Sequence, residues 1–153
     1  MRRSVISCAV ALVAAGFMAA PLLASSADDV RIRVSGLREL GAAFKAVNDG
    51  LRTSDPQTIL IQQSARQIRN AASQMPGWFP RGSGPESGAK TAAKADIWAQ
   101  PAKFKAVQDA FIAQAARLQT AANGGDAATM RAETAKLGLT CKNCHDSFRV
   151  PKA

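Results

Sequence analysis

Five consecutive residues near the C-terminal end could do chemistry: Cys141, Lys142, Asn143, Cys144 and His145. Two thiols bracket a two-residue spacer and an imidazole follows directly, the pattern Cys-x-x-Cys-His. Such thiols can add across the two vinyl groups of a porphyrin as thioethers, and the imidazole then becomes an axial ligand of its iron. On a helix Cys141 and His145 are four apart and share a face, with Cys144 three along beside Cys141. One turn therefore presents two tethers and one ligand to the same side of a flat macrocycle. From ordinary residue frequencies the pattern arises by chance in roughly one chain of this length per thousand, so one covalently attached haem c is the expected cofactor. A zinc site wants about four ligands, and the chain has one histidine and two cysteines beyond residue 8. A thioredoxin-like dithiol needs a preceding strand, and none reads here. A structural disulfide leaves His145 without a role. A bare dithiol is the alternative that stays open.

Helices must position this motif. In the first, Val30, Val34, Leu37, Leu40, Phe44, Val47 and Leu51 recur at steps of three and four, the mark of an amphipathic helix. Gly50 and residues 53–55 close it. Pro56 at the first helical position, with Asp55 as N-cap, opens the second, whose stripe is Ile61, Ala65, Ile68, Ala72 and Met75 until Pro76 and Gly77 end it. Pro101 opens the third, with Phe104, Val107, Phe111, Ala115, Leu118 and Ala122 on its buried face. Asn123, Gly124 and Gly125 stop it, and Asp126 caps the fourth. On that last helix Met130, Thr134, Leu137, Cys141, Cys144 and Phe148 share one stripe. The cysteines thus lie on the core-facing side, where a tethered haem takes the place of packing side chains.

Residues 76–100 break the pattern. Five of their residues are Gly or Pro at 76, 77, 80, 82 and 84, followed by Pro85 and Gly88, which forbids a long helix. Trp78, Phe79, Ile97 and Trp98 are too apolar for a free linker. A loop of this length inside a compact domain is usually functional; it reads as a wrap over part of the haem, with one helical turn near 90–95. The expected fold is all-α: an antiparallel four-helix bundle with a long loop between the second and third helices. No strand pattern competes.

Residues 1–27 read as an export signal. Arg2 and Arg3 precede an apolar run from 5 to 23, and Ala24, Ser25, Ser26 and Ala27 offer cleavage sites. Pro21 and the absence of a following basic cluster argue against a retained anchor, so no membrane span is expected in the mature chain. Cys8 should leave with the signal. The expected destination is the periplasm, where c-type attachment in bacteria takes place. Residues 28–153 then form one haem-binding domain, about 126 residues, large enough for a single core. Losing Arg2 and Arg3 takes the formal charge from +9 to +7, and haem propionates lower it by about two more. The remaining positive charge suits acidic protein partners or membrane surfaces through steering, and equally suits plain solubility. Nucleic acid is not an expected partner: the cations are scattered around helices, and the chain has no tyrosine.

Four stretches carry a family resemblance across the whole mature chain: residues 33–37 (Arg33, Val34, Ser35, Gly36, Leu37), the Pro-Gly-Trp-Phe-Pro run at 76–80, the Ala-Asp-Ile-Trp run at 95–98, and residues 138–149 around the haem motif. The chain resembles cytochrome c′, the class II c-type cytochromes, whose motif lies near the C-terminus of a four-helix bundle; cytochrome c′ is itself a standard example of that architecture. Small cytochromes c of the ordinary type carry the motif near the N-terminus.

The resemblance implies site residues. Leu37 takes the place that faces the sixth position of the iron, where low-spin relatives put methionine. A leucine cannot ligate iron, so a five-coordinate, high-spin haem with an apolar distal pocket is implied. Met130 lies fifteen residues before His145 on one helix, about 22 Å at 1.5 Å per residue, and Met75 would need an unexpected loop geometry to reach the iron. Arg33 and Val34 match residues that touch the haem, and Arg33 would pair with a propionate or else be a solvated helix charge. Thr91 falls in the segment placed near the haem edge, with its hydroxyl within reach of a propionate. Arg149, four after His145, matches a basic proximal residue that steers a ligand or tunes the iron, or it complements the helix C-terminus.

Two functions follow from the resemblance. An open iron in a dry pocket binds small gases, nitric oxide and carbon monoxide, with oxygen poorly stabilised for want of a distal donor. A low-spin class II cytochrome acting purely as an electron carrier is the alternative, with a redox partner the sequence does not name. An enzyme is not expected, because peroxidase-type chemistry wants a distal acid–base group and the single histidine is committed to iron. Relatives pair as homodimers through their first two helices. Here Ala42, Ala43, Ala46, Ile59 and Leu60 lie off or beside the core stripes, so a homodimer is expected.

Overall fold

The computed structural model describes residues 26–151. Residues 1–25 of the expected export segment, Cys8 among them, lie outside the described residues. Its last two, Ser26 and Ala27, begin helix α1, Ser26–Arg52. Asp28 and Asp29 in the first turn and Arg52 in the last complement the helix dipole. The buried residues of α1 are Val30, Arg33, Leu40, Ala43, Val47 and Leu51. The inward stripe is therefore shifted at its N-terminal half: Arg33 is buried, Val34 and Phe44 are half-buried, and Leu37 is left exposed.

Helix α2, Thr58–Gln74, buries Ile61, Ala65, Ile68 and Ala72 as its periodicity predicts. It begins two residues later than expected. The chain is not helical until after Gln57, whose ψ is 84°, and the Asp55 carbonyl accepts from the Thr53 hydroxyl at 3.1 Å. Pro56 thus belongs to the turn. The crossover then runs through two short 3₁₀ turns, Met75–Trp78 and Pro85–Ser87, and a one-turn helix α3, Asp96–Ala99. The turn expected near 90–95 is displaced to α3. Residues 92–94 are instead extended against the C-terminal end of the chain. Lys94 N donates to Phe148 O at 2.9 Å, Val150 N donates to Ala92 O at 2.8 Å, and Ala93 and Arg149 form an antiparallel bridge. A two-stranded contact this short has no alternating pattern to read, which is why no strand was legible there.

Helix α4, Pro101–Gly124, starts at the proline as predicted and ends on Gly125, whose φ of 76° is open to glycine. Asp126 caps α5, Ala127–Phe148, accepting from Thr129 N at 2.7 Å. The long helices α1, α2, α4 and α5 form an antiparallel bundle. Two contacts fix the register of α1 on α5. The Arg131 guanidinium donates to Leu51 O at 3.0 and 3.1 Å, and Gly138 meets the Phe44 ring. Seven residues separate the two contacts on each helix, in opposite directions. A further seven places Leu37 level with His145.

The apolar interior falls into two clusters. The larger holds Leu40, Val47, Ile61, Ile68, Phe111, Leu118, Met130 and Leu137, with Cys141 packed against it. The smaller holds Ile97, Phe104 and Phe148, with Cys144 packed against it. The crossover comes close to α1 at Gly36, where an added Cβ would fall 2.6 Å from the Trp78 ring. Among the described residues no helix is long and apolar enough to cross a membrane.

Candidate functional site

Cys141 and Cys144 sit half-buried on the inner face of α5, each against a different apolar cluster. Burial raises both thiols, Cys141 to about 11 with help from the neighbouring Cys144. A redox-active dithiol needs the opposite, a thiolate stabilised near neutral pH. The raised thiols and their apolar seam suit addition across an apolar vinyl group better than dithiol redox chemistry. Among the described residues no group of three or more His, Cys, Asp and Glu side chains is gathered to hold a metal ion on its own.

His145 stands exposed beside the pair. Partial desolvation and then Arg149 hold its pKa below the usual imidazole value, against a smaller pull from Asp146. A neutral imidazole is the form that binds a metal. Next to it lies an open cavity of about 350 Å³ lined by His145, Asp146, Arg149, Val150 and Pro151. Arg149 is half-buried, and its backbone N–H donates to His145 O at 3.0 Å, closing the helix. The expected proximal basic residue thus lies where the chain leaves α5.

Across the bundle Leu37 is 37% exposed, although Leu40 one turn on is buried. Leu37 and His145 are thus uncovered at the same level of facing helices, with Val34 half-buried beside Leu37. This fits an apolar disc held between them. Met75 and Met130 are elsewhere, both buried in the larger cluster.

Arg33 is only 2% exposed. Its Nη1 donates to Ser83 Oγ at 2.9 Å and Trp78 O at 3.3 Å; its Nη2 donates to Ser83 O at 2.8 Å and Thr91 Oγ1 at 3.0 Å. The guanidinium lies over the Phe79 and Trp98 rings, 5.1 and 5.8 Å from their centroids, a cation–π arrangement. Desolvation lowers its pKa, against the pull of Asp29 and Glu86. All four acceptors are neutral, so a buried cation sits without a bonded carboxylate. The solvated-charge alternative does not hold. Arg33 and Thr91, 58 residues apart in sequence, are brought into contact, as a shared propionate contact requires. The same bonds also give Arg33 a task that the sequence did not reveal, that of holding the crossover. Ser83, buried and small in a Gly-rich run, carried no signal of its own.

Gln108 was also missed. It lies on the buried face of α4, and its Nε2 has no hydrogen-bond partner. A glutamine inside an apolar stripe reads as a surface residue in one dimension.

The sequence profile of the cytochrome C′ family matches residues 28–149. A cytochrome c′ of Pararhodospirillum photometricum is 36% identical over 122 residues, covering 78% of this chain and 94% of the relative. One from Alcaligenes xylosoxydans is 30% identical over 125 residues, covering 82% of this chain and 95% of the relative. Among solved structures, the cytochrome c′ of Rubrivivax gelatinosus superposes with a TM-score of 0.76 at 26% identity, covering 82% of this chain and 98% of that one. The nitric oxide complex of a leucine-to-isoleucine variant from Alcaligenes xylosoxidans does so at 0.76 and 26%, covering 84% and 98%.

Proposed function

The chain belongs to the cytochrome c′ family, and from that premise we propose that it is a periplasmic, five-coordinate haem protein that binds small gases and can carry an electron. When bound, haem would supply a redox iron able to take a small gas. Cys141 and Cys144 would hold the macrocycle by two thioethers, His145 would ligate the iron, and Leu37 with Val34 would keep the opposite face apolar. Arg33 and Thr91 would supply donors to a propionate.

One observation carries the reading: Leu37 and His145 stand level and uncovered on facing helices. The burial of Met75 and Met130 in the core supports a vacant sixth position over the purely electron-carrying, low-spin alternative. Nitric oxide is bound by a related cytochrome c′ of known structure, which supports it as a ligand here. Residues 1–27 would direct export and then be removed, and haem would be attached to the exported domain.

Protein purified from the periplasm is expected to keep its haem through acid–acetone extraction and denaturing electrophoresis, and its ferrous form to take up nitric oxide. Cys141→Ala with Cys144→Ala is expected to abolish haem retention under those conditions. Retention of the wild-type spectrum by the double variant would refute covalent attachment.

The α1–α2 face suits a second copy of the chain. Ala42 and Ala46 line an open groove of about 780 Å³ with Ile32, Gly36 and Trp78, and Ile59 and Leu60 are 70% and 55% exposed nearby in sequence on α2. Ala43 lines the same groove but is buried. Small residues allow close helix approach and large exposed apolar ones gain by cover. Sedimentation is expected to show a dimer at tens of micromolar, on the order of the concentration that fills a weak interface; a monomer there would count against it.

A further inference from the structure

Two glutamines lie buried on α4, and only one is satisfied. Gln114 donates through Nε2 to Glu133 O at 3.1 Å and to the Glu133 carboxylate at 2.7 Å, a complete bond across to α5. Gln108 is 6% exposed, and its Nε2 is the one buried side-chain polar atom without a partner among the described residues. A buried amide N–H left unpaired is costly and rare enough to call for a reason.

Its position supplies one. Gln114 is bonded to Glu133 at mid-length of α4. Phe104 meets Phe148 where α4 begins and α5 ends, ring centroids 5.1 Å apart. Between these points the antiparallel register brings Gln108 level with the stretch from Cys141 to Cys144. On α4, Phe104 belongs to the smaller apolar cluster and Phe111 to the larger, with Gln108 between them. On α5 the same boundary falls between Cys144 and Cys141. The orphaned donor is therefore at the seam where the two thiols are held.

We propose that the Gln108 side-chain amide is a haem contact, donating its Nε2–H to the tethered edge of the macrocycle, at a thioether sulfur or the adjoining pyrrole, and so favouring the ferrous state. This rests on the haem reading above. The step concerned is the uptake of one electron by the iron from a redox partner; no bond forms or breaks, and the amide keeps its proton. The positive end of the N–H dipole, in a site of low dielectric, stabilises the form with less positive charge on the iron.

Redox titration and resonance Raman spectroscopy of the haem-loaded protein test the assignment. Gln108→Leu keeps the size of the side chain and removes a polar group from an apolar seam, so folding is favoured. At the wild-type midpoint potential its ferrous-to-ferric ratio is expected to fall severalfold, and that of Gln108→Glu to fall further. Peripheral porphyrin bands are expected to move in Gln108→Leu. In the unsubstituted protein the same bands are expected to shift on exchange into D₂O, a measurement independent of any variant. A purely structural glutamine would leave the ratio and the bands unmoved, and that result would overturn the proposal. Wild-type protein without covalent haem would overturn both this assignment and the reading beneath it, whereas haem indifferent to Gln108 would overturn this assignment alone.

Discussion

Shrinking Leu37 to alanine is expected to speed carbon monoxide binding to the ferrous protein by about tenfold or more, a barrier change of about 1.4 kcal/mol. The reason is steric. The side chain stands at the level of His145 on the facing helix, so on the proposed reading an incoming diatomic would have to displace it to reach the iron. Rapid mixing measures the rate. The wild-type ferric spectrum should be high-spin, because no side chain at that level can ligate. Leu37→Met puts a thioether in place of the leucine and should push the iron towards low spin. A wild-type spectrum that is already low-spin, with a methionine-to-iron band, would mean that another side chain closes the pocket. Met75 would then have to leave the larger cluster, in which it is now buried, and the gas-binding reading would fall.

Arg33→Met is expected to cost the haem-loaded protein about 2–5 kcal/mol in stability, read as a lower urea midpoint. Methionine keeps an unbranched apolar stem but removes the guanidinium over the Phe79 and Trp98 rings and its four donated bonds. The Ser83 and Trp78 carbonyls would then be buried without a donor, and each such loss is worth about 1–3 kcal/mol. A solvated helix charge would change stability by no more than about 0.5 kcal/mol, so the magnitude alone separates the two roles. Amide hydrogen exchange adds a local test. Protection should drop first in residues 83–94, which Arg33 ties to α1, and leave the core of α2 and α4 largely unaffected. Uniform loss across the bundle would mean that Arg33 serves the core as a whole and not the crossover.

Much of this molecule is written in local pattern. The Cys141, Cys144 and His145 spacing names its own chemistry, because a helix of fixed pitch must carry those three residues on adjacent positions of one face. The stripes of α2 and α4, the Pro101 start, the Gly125 stop and the Asp126 cap are likewise local. Each depends on a backbone angle or a hydrogen bond within a few residues, so the bundle and its long interruption could be read in one dimension.

Tertiary structure decided the rest. The hydrophobic period placed Leu37 inside with its neighbours, yet only the register of α1 on α5 shows it uncovered opposite His145. Arg33 read as a propionate partner or else a solvated helix charge, because nothing nearby in sequence could satisfy a buried guanidinium. Its acceptors arrive from 45 to 58 residues away, on a crossover with no periodicity to read. Residues 92–94 pair with 148–150 through backbone groups alone, which are the same for every residue type and leave no trace in composition. Gln108 is the sharpest case. Its burial comes from helix packing and its unpaired N–H from what the packing leaves out, and neither quantity exists until the chain has folded.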